Sequence, residues 1–138
     1  DLSTGSVQRI IPDNVVDPKT ARRVIMCSGK VYYDLLAART VQKKTDVALI
    51  RVEQLYPLQP QHVLDVLKPY KKGTDLVWVQ EEPWNSGAWF FMNARLPRIL
   101  EGRYPLRGVT RAESASPATG SHSAHKLEQE RLIEEALR

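Results

Sequence analysis

The sequence predicts an α/β protein with a mostly parallel sheet covered by helices on both faces. Three observations carry that prediction. Short apolar runs recur at regular spacing: Val24-Ile25-Met26-Cys27, Val47-Ala48-Leu49-Ile50 and Leu76-Val77-Trp78-Val79. These runs do not alternate with polar residues, as expected of strands buried on both sides. The segments between them carry apolar residues at helical spacing, which sets a βαβ rhythm and hence parallel pairing.

The elements follow in order. Residues 1–21 are polar and punctuated by Pro12 and Pro18, so they read as a lead-in or linker, with Val7–Ile11 able to form one short edge strand. Residues 22–138 read as one α/β domain. A strand is predicted over 22–28, with Gly29 as a tight exit. The helix that follows runs from Lys30 to about Lys43, with Val31, Leu35 and Ala38 on one face and Tyr32 and Leu36 widening it. A second strand covers 46–52 and is rich in β-branched residues. After Pro57, Pro60 suits the first turn of a helix, where its missing N–H costs nothing. Val63, Val66, Leu67 and Tyr70 keep the helical register, and Pro69 and Gly73 end it. A third strand covers 75–80. The next helix starts near Gly87 and passes through Trp89, Met92, Leu96 and Ile99, with Pro97 expected to kink or shorten it. Residues 106–112 give a weaker strand, and 114–121 a loop of small residues. An amphipathic helix from about Ser123 closes the chain, apolar at Leu127, Ile133, Ala136 and Leu137.

Composition narrows the function. The 138 residues carry 20 Lys and Arg against 16 Asp and Glu, interspersed along the chain. No basic stripe of the kind that tracks nucleic acid is visible. No apolar stretch approaches the roughly 18 residues of a membrane span, and no signal-peptide pattern opens the chain. Neither nucleic acid nor membrane is therefore an expected partner. Cys27 is the single cysteine, which excludes an internal disulfide; set in an apolar run, it reads as a buried thiol suited to a reducing compartment. The chain begins with Asp rather than Met and reads as a piece of something longer.

Polar clusters gather where the strands stop, the edge at which open α/β sheets usually meet ligands. Ser28-Gly29-Lys30 stands at a strand-to-helix turn but lacks the longer Gly-rich run of a phosphate loop. Glu81 and Glu82 are adjacent on a strand, so they point to opposite faces and make a poor acid–base pair. His122 and His125 are three apart without further ligands in the local sequence; His62 is isolated. Trp84, Trp89, Phe90 and Phe91 crowd the segment after the third strand; Trp84 is expected at an interface and Trp89 in the core. No nucleophile with a base, zinc motif or dinucleotide fingerprint is visible, so no catalytic residue is assigned.

Four motifs carry a resemblance. Arg23-Val-Ile-Met-Cys-Ser-Gly-Lys-Val-Tyr-Tyr-Asp-Leu35, Arg51-Val-Glu-Gln-Leu-Tyr-Pro57, Gln80-Glu-Glu-Pro-Trp-Asn-Ser-Gly-Ala-Trp89 and Ser114-Ala-Ser-Pro-Ala-Thr-Gly120 together resemble the C-terminal domain of the decarboxylating component of 2-oxoglutarate dehydrogenase, of bacterial type. Gln8–Asp13 extends the likeness. The resemblance implies a transketolase C-terminal-like fold: a three-layer α/β/α unit with a mostly parallel sheet of about five strands, the fifth from Val7–Ile11 and antiparallel. It implies a thiamine diphosphate-dependent parent of the tricarboxylic acid cycle that decarboxylates 2-oxoglutarate and passes the succinyl group to a lipoyl group. Thiamine diphosphate and Mg²⁺ would be held by preceding domains, across a homodimer interface, and no cofactor by this chain. The implied partners are those domains, the second protomer, the lipoyl acyltransferase and the dihydrolipoyl dehydrogenase. The implied location is the bacterial cytoplasm, or the mitochondrial matrix in a eukaryote. Some relatives read acyl-CoA or nucleotide effectors in this region; Lys30, Arg51 and Gln54 are the candidate effector contacts, and Glu81, Glu82 and Trp84 the candidate interface. A stand-alone nucleotide- or acyl-CoA-binding module and the same domain of a 2-oxoadipate dehydrogenase are the alternatives.

Overall fold

A computed structural model describes residues 10–54, 58–112 and 122–138. The order is β1 (Ile10–Ile11), β2 (Arg23–Cys27), α1 (Val31–Gln42), β3 (Val47–Val52), α2 (Pro60–Leu67), β4 (Asp75–Pro83), α3 (Trp89–Leu100), β5 (Leu106–Arg111) and α4 (His122–Leu137). The five strands form one sheet in the order β1-β3-β2-β4-β5. β2 pairs in parallel with both β3 and β4, and β4 in parallel with β5; among the described strands only β1 is antiparallel.

Strand alternation divides the core into two layers. Val24 and Met26 of β2 face the side packed by Val63 and Leu67 of α2 and by Met92 and Leu96 of α3. Ile25 and Cys27 face the side packed by Val31 and Leu35 of α1 and by Leu132, Ile133 and Ala136 of α4. The result is the expected three-layer α/β/α arrangement.

Several local expectations need correction. The third strand runs on to Pro83 and so carries Glu81 and Glu82 within it. α3 begins at Trp89, because Gly87 adopts φ +62 and breaks the helix there. Pro97 lies inside α3, which ends three residues later when Glu101 turns left-handed (φ 50). α2 stops at Leu67, so Tyr70 is buried from the turn beyond it. In α4 Leu127 is 53% exposed, and Leu132 takes the buried position instead. At about 100° per residue, position 127 lies on the far side of the helix from 133 and 136.

The lead-in is stitched to the sheet by a side chain. Ile10 pairs with Val52 and Ile11 with Arg51, a register that sets residue 13 opposite Leu49. There the Asp13 carboxylate takes over from the backbone: Oδ2 accepts the Leu49 N–H at 2.7 Å. Oδ1 accepts the N–H groups of Val15 at 2.7 Å and Val16 at 3.2 Å. The Arg39 guanidinium, on the inner face of α1, completes the set by donating to Oδ2 and to the Val47 carbonyl. Both side chains are almost fully buried. Burial alone would raise the Asp13 pKa; the Leu49 and Val15 N–H groups and Arg39 more than offset it and hold the carboxyl below its ordinary value.

Candidate functional site

The carboxyl ends of β2 to β5 form one edge of the sheet, and two cavities open there. The first, about 510 Å³, is lined by Lys30, Tyr33, Asp34, Glu81, Arg111, His125, Lys126 and Gln129. Its floor is a chain of hydrogen bonds. Arg111 Nη2 donates to Gln129 Oε1 at 2.6 Å, and Gln129 Nε2 donates to Asp34 Oδ2 at 2.8 Å. Arg111 Nη1 lies 3.0 Å from His125 Nδ1. The second cavity, about 480 Å³, is lined by Ser28, Gly29, Trp78, Gln80, Glu82, Gly87 and Ala88.

Lys30 is exposed at the N-terminus of α1, after Gly29 turns the chain at φ +77. Arg51, at the end of β3, stands opposite Cys27 in the neighbouring strand. It is already engaged: its guanidinium pairs with Glu53 at 2.9 Å, donates to the Tyr33 hydroxyl at 3.0 Å and lies over the Tyr32 ring at 5.3 Å. Tyr33 therefore links the two candidate cations, touching Arg51 and lining the cavity of Lys30. Gln54 lies half-buried just past the end of β3. An anion binding Arg51 competes with Glu53, a partner that strand-end position alone does not reveal.

Glu81 and Glu82 fall in separate cavities on opposite faces, as neighbours on a strand must. Trp84 is 52% exposed and Phe90 69% exposed beyond them. Trp89 is half-buried at the margin of the core rather than inside it. It packs across Gly108 of β5 so closely that a Cβ there would stand 2.5 Å from the indole.

Gln80 holds this segment together, a role its sequence position does not announce. Its side chain is buried among five partners. Oε1 accepts Trp78 Nε1 at 3.0 Å and the Trp89 N–H at 2.6 Å. Nε2 donates to the carbonyls of Glu82, Pro83 and Ser86 at 3.2, 2.8 and 2.8 Å. One amide thus fixes the end of β4, which carries Glu82, and the turn beyond it, which carries Trp84.

Burial pushes the Cys27 thiol up to about 12, which keeps it protonated and poorly nucleophilic. Among the described residues no group of three or more His, Cys, Asp or Glu could hold a metal ion. The His122 side chain and the Ser114–Gly120 motif lie outside the described residues. No described helix is long and apolar enough to cross a membrane.

Fold and edge together define a class: a mostly parallel three-layer α/β domain of the transketolase C-terminal type. The chain belongs to the 2-oxoglutarate dehydrogenase C-terminal family, whose model matches residues 1–137. It is 45% identical over 138 residues to a 2-oxoglutarate dehydrogenase E1 component of Haemophilus influenzae, covering 99% of this chain and 15% of that protein. The corresponding protein of Cupriavidus necator is 42% identical, with 99% and 14% covered. An oxoglutarate dehydrogenase of Buchnera aphidicola is 39% identical, with 99% and 15% covered. The chain thus spans about 15% of the length of the curated relatives it matches.

Proposed function

We propose that this chain is the C-terminal structural and effector-reading domain of a thiamine diphosphate-dependent 2-oxoglutarate dehydrogenase. In this reading the parent decarboxylates 2-oxoglutarate and delivers the succinyl group to a lipoyl acyltransferase, with a dihydrolipoyl dehydrogenase reoxidising the lipoyl group. The domain braces the homodimer and the preceding domains in the bacterial cytoplasm and is not itself catalytic. The observation that carries it is the match over 99% of this chain, at 45% identity, to a 2-oxoglutarate dehydrogenase E1 component. A parent enzyme assayed with 2-oxoglutarate and with 2-oxoadipate tests the substrate: preference for 2-oxoglutarate is expected, and turnover of 2-oxoadipate alone overturns it.

Lys30, Arg51 and Gln54 form the anion-reading edge. Support comes from Arg51 near the end of β3 and Lys30 in the turn after its parallel neighbour β2, with Tyr33 touching Arg51 and lining the cavity of Lys30. A phosphate there would gain charge-assisted hydrogen bonds from both cations, with Glu53 displaced from Arg51. Acetyl-CoA and AMP are titrated into the parent enzyme, wild type and Arg51→Ala. A response lost in the variant is expected; equal responses remove Arg51 from the site. Glu82 and Trp84, displayed by the Gln80-held loop, and Glu81 on the opposite face are assigned to contacts with the neighbouring domain or protomer.

A further inference from the structure

The chain's net charge of +4 is not spread evenly along the sequence. Lys68, Lys71, Lys72, Arg95, Arg98 and Arg103 lie on α2, α3 and the turns that follow them, against only Asp65 and Glu101. The α1 and α4 layer with its turn (31–46 and 122–138) carries six charges of each sign, and the remaining residues balance as well. The segments that build the α2/α3 layer therefore carry an excess of four positive charges.

A groove runs between α2 and α3 on that face. One part, about 580 Å³, is lined by Pro60, Leu64, Arg95, Arg98, Ile99 and Glu101. The adjoining part, about 260 Å³, is lined by Leu64, Lys68, Arg103 and Tyr104 with Gln61 and Asp65. Leu64 is common to both, so an aliphatic floor continues beneath a cationic rim. Among the described residues the ion pairs involve Arg22, Arg23, Arg39, Arg51 and Arg107, and none of the groove's cations. Arg95 lies over the Phe91 ring at 5.5 Å, and Arg103 donates to the Tyr104 hydroxyl at 3.2 Å, so two of the guanidiniums are held in place without being neutralised.

We infer that this groove is a docking surface for an acidic amphipathic segment of a partner protein. Carboxylates of that segment would pair with Arg95, Arg98 and Arg103, and an aliphatic side chain would seat on Leu64 and Ile99. Three features select this occupant. The uncompensated cations call for an anionic partner. Arginine rather than lysine dominates the rim, the choice that suits carboxylate forks and recurs in protein interfaces. The floor is aliphatic, and its one aromatic residue, Tyr104, is buried, so it offers no platform for stacking bases as single-stranded nucleic acid requires.

A fluorescein-labelled helical peptide of Glu and Leu, Glu at i and i+4, titrated into the full chain by anisotropy provides the test. Binding at low salt that weakens about tenfold at high salt is expected, because exposed charge pairs are screened. Arg95→Glu with Arg98→Glu weakens it by about tenfold or more, while the same charge change on the other layer, Lys43→Glu with Arg131→Glu, leaves it within about twofold. Circular dichroism confirms that both variants keep their helices. Absence of binding, equal loss in both variants, unchanged binding of a peptide with Ser for Leu, or equal competition by a short DNA strand each overturns the assignment.

Discussion

Two buried polar side chains, Asp13 and Gln80, organise different parts of the sheet, and they do so by different means. Asp13 is an anion that joins the lead-in to the edge of β3 and depends on a cation, Arg39, brought from α1. Gln80 is neutral; its oxygen accepts from Trp78 and Trp89, and its two N–H bonds are shared among the carbonyls of Glu82 and Pro83 at the end of β4 and Ser86 in the turn beyond. The charged device concentrates its energy in one pair. Removing either member strands the other in a region that cannot solvate it. The neutral device spreads its effect over many weaker bonds. A structural joint and a display loop thus rest on unlike chemistry.

The largest expected effect breaks the first device. Asp13→Ala leaves Arg39 buried without its anion and should cost about 3–5 kcal/mol, read as a lower midpoint in urea unfolding. Asp13→Asn strands Arg39 equally while keeping an acceptor for the Leu49 N–H, so it should cost nearly as much. If Asn costs far less than Ala, the charge matters little and the contrast with Gln80 fails.

Gln80→Ala should come next, at about 1–3 kcal/mol for the stranded indole and backbone groups. Its more telling signature is a change in near-ultraviolet circular dichroism, since Trp78 and Trp89 both bond to Gln80. Unchanged tryptophan signals would show that the loop holds its shape without the amide. Gly108→Ala attacks the same region from β5: the new Cβ collides with the Trp89 indole, at a cost of about 1–3 kcal/mol.

Acid separates the two devices without mutation. The folded Asp13 binds its proton more weakly than the unfolded residue, so stability from this group is present above the ordinary carboxylate pKa. It is lost as pH falls from about 4 through the lower, folded value. Urea melts at successive pH values should show this slope, made shallower by Asp13→Asn and untouched by Gln80→Ala. The smallest effect is a control: Val41 is 81% exposed, and Val41→Lys should change stability by no more than about 0.5 kcal/mol.

The two devices also mark where sequence reading succeeds and stops. The strands were legible because runs such as Val24–Cys27 need cover on both faces, and only a parallel sheet between helix layers supplies it. The candidate edge was legible for the same reason, since polar residues collect where such runs end. The Asp13–Arg39 pair was not, because its members lie 26 positions apart and no local rule couples them. One signal was present: Arg39 falls eight residues after Val31 and four after Leu35, on the buried stripe of α1, where a charge demands a partner. The engagement of Arg51 by Glu53 and Tyr33 likewise emerges only when α1 is laid against the end of β3.

The short β1 strand has a consequence beyond holding the lead-in. β3 would otherwise be the outermost strand on its side, offering the uncharged run Val47–Ile50 to any chain with a free edge of its own. Such an edge is a template for aggregation between molecules. Ile10 and Ile11 cover the end of that border at Val52 and Arg51, and the Asp13 carboxylate takes the Leu49 N–H within the run. Proteolytic nicking between Asp13 and Ala21 would therefore do more than shorten the domain: it would release the cap and turn a closed sheet border into a seed for intermolecular β-stacking.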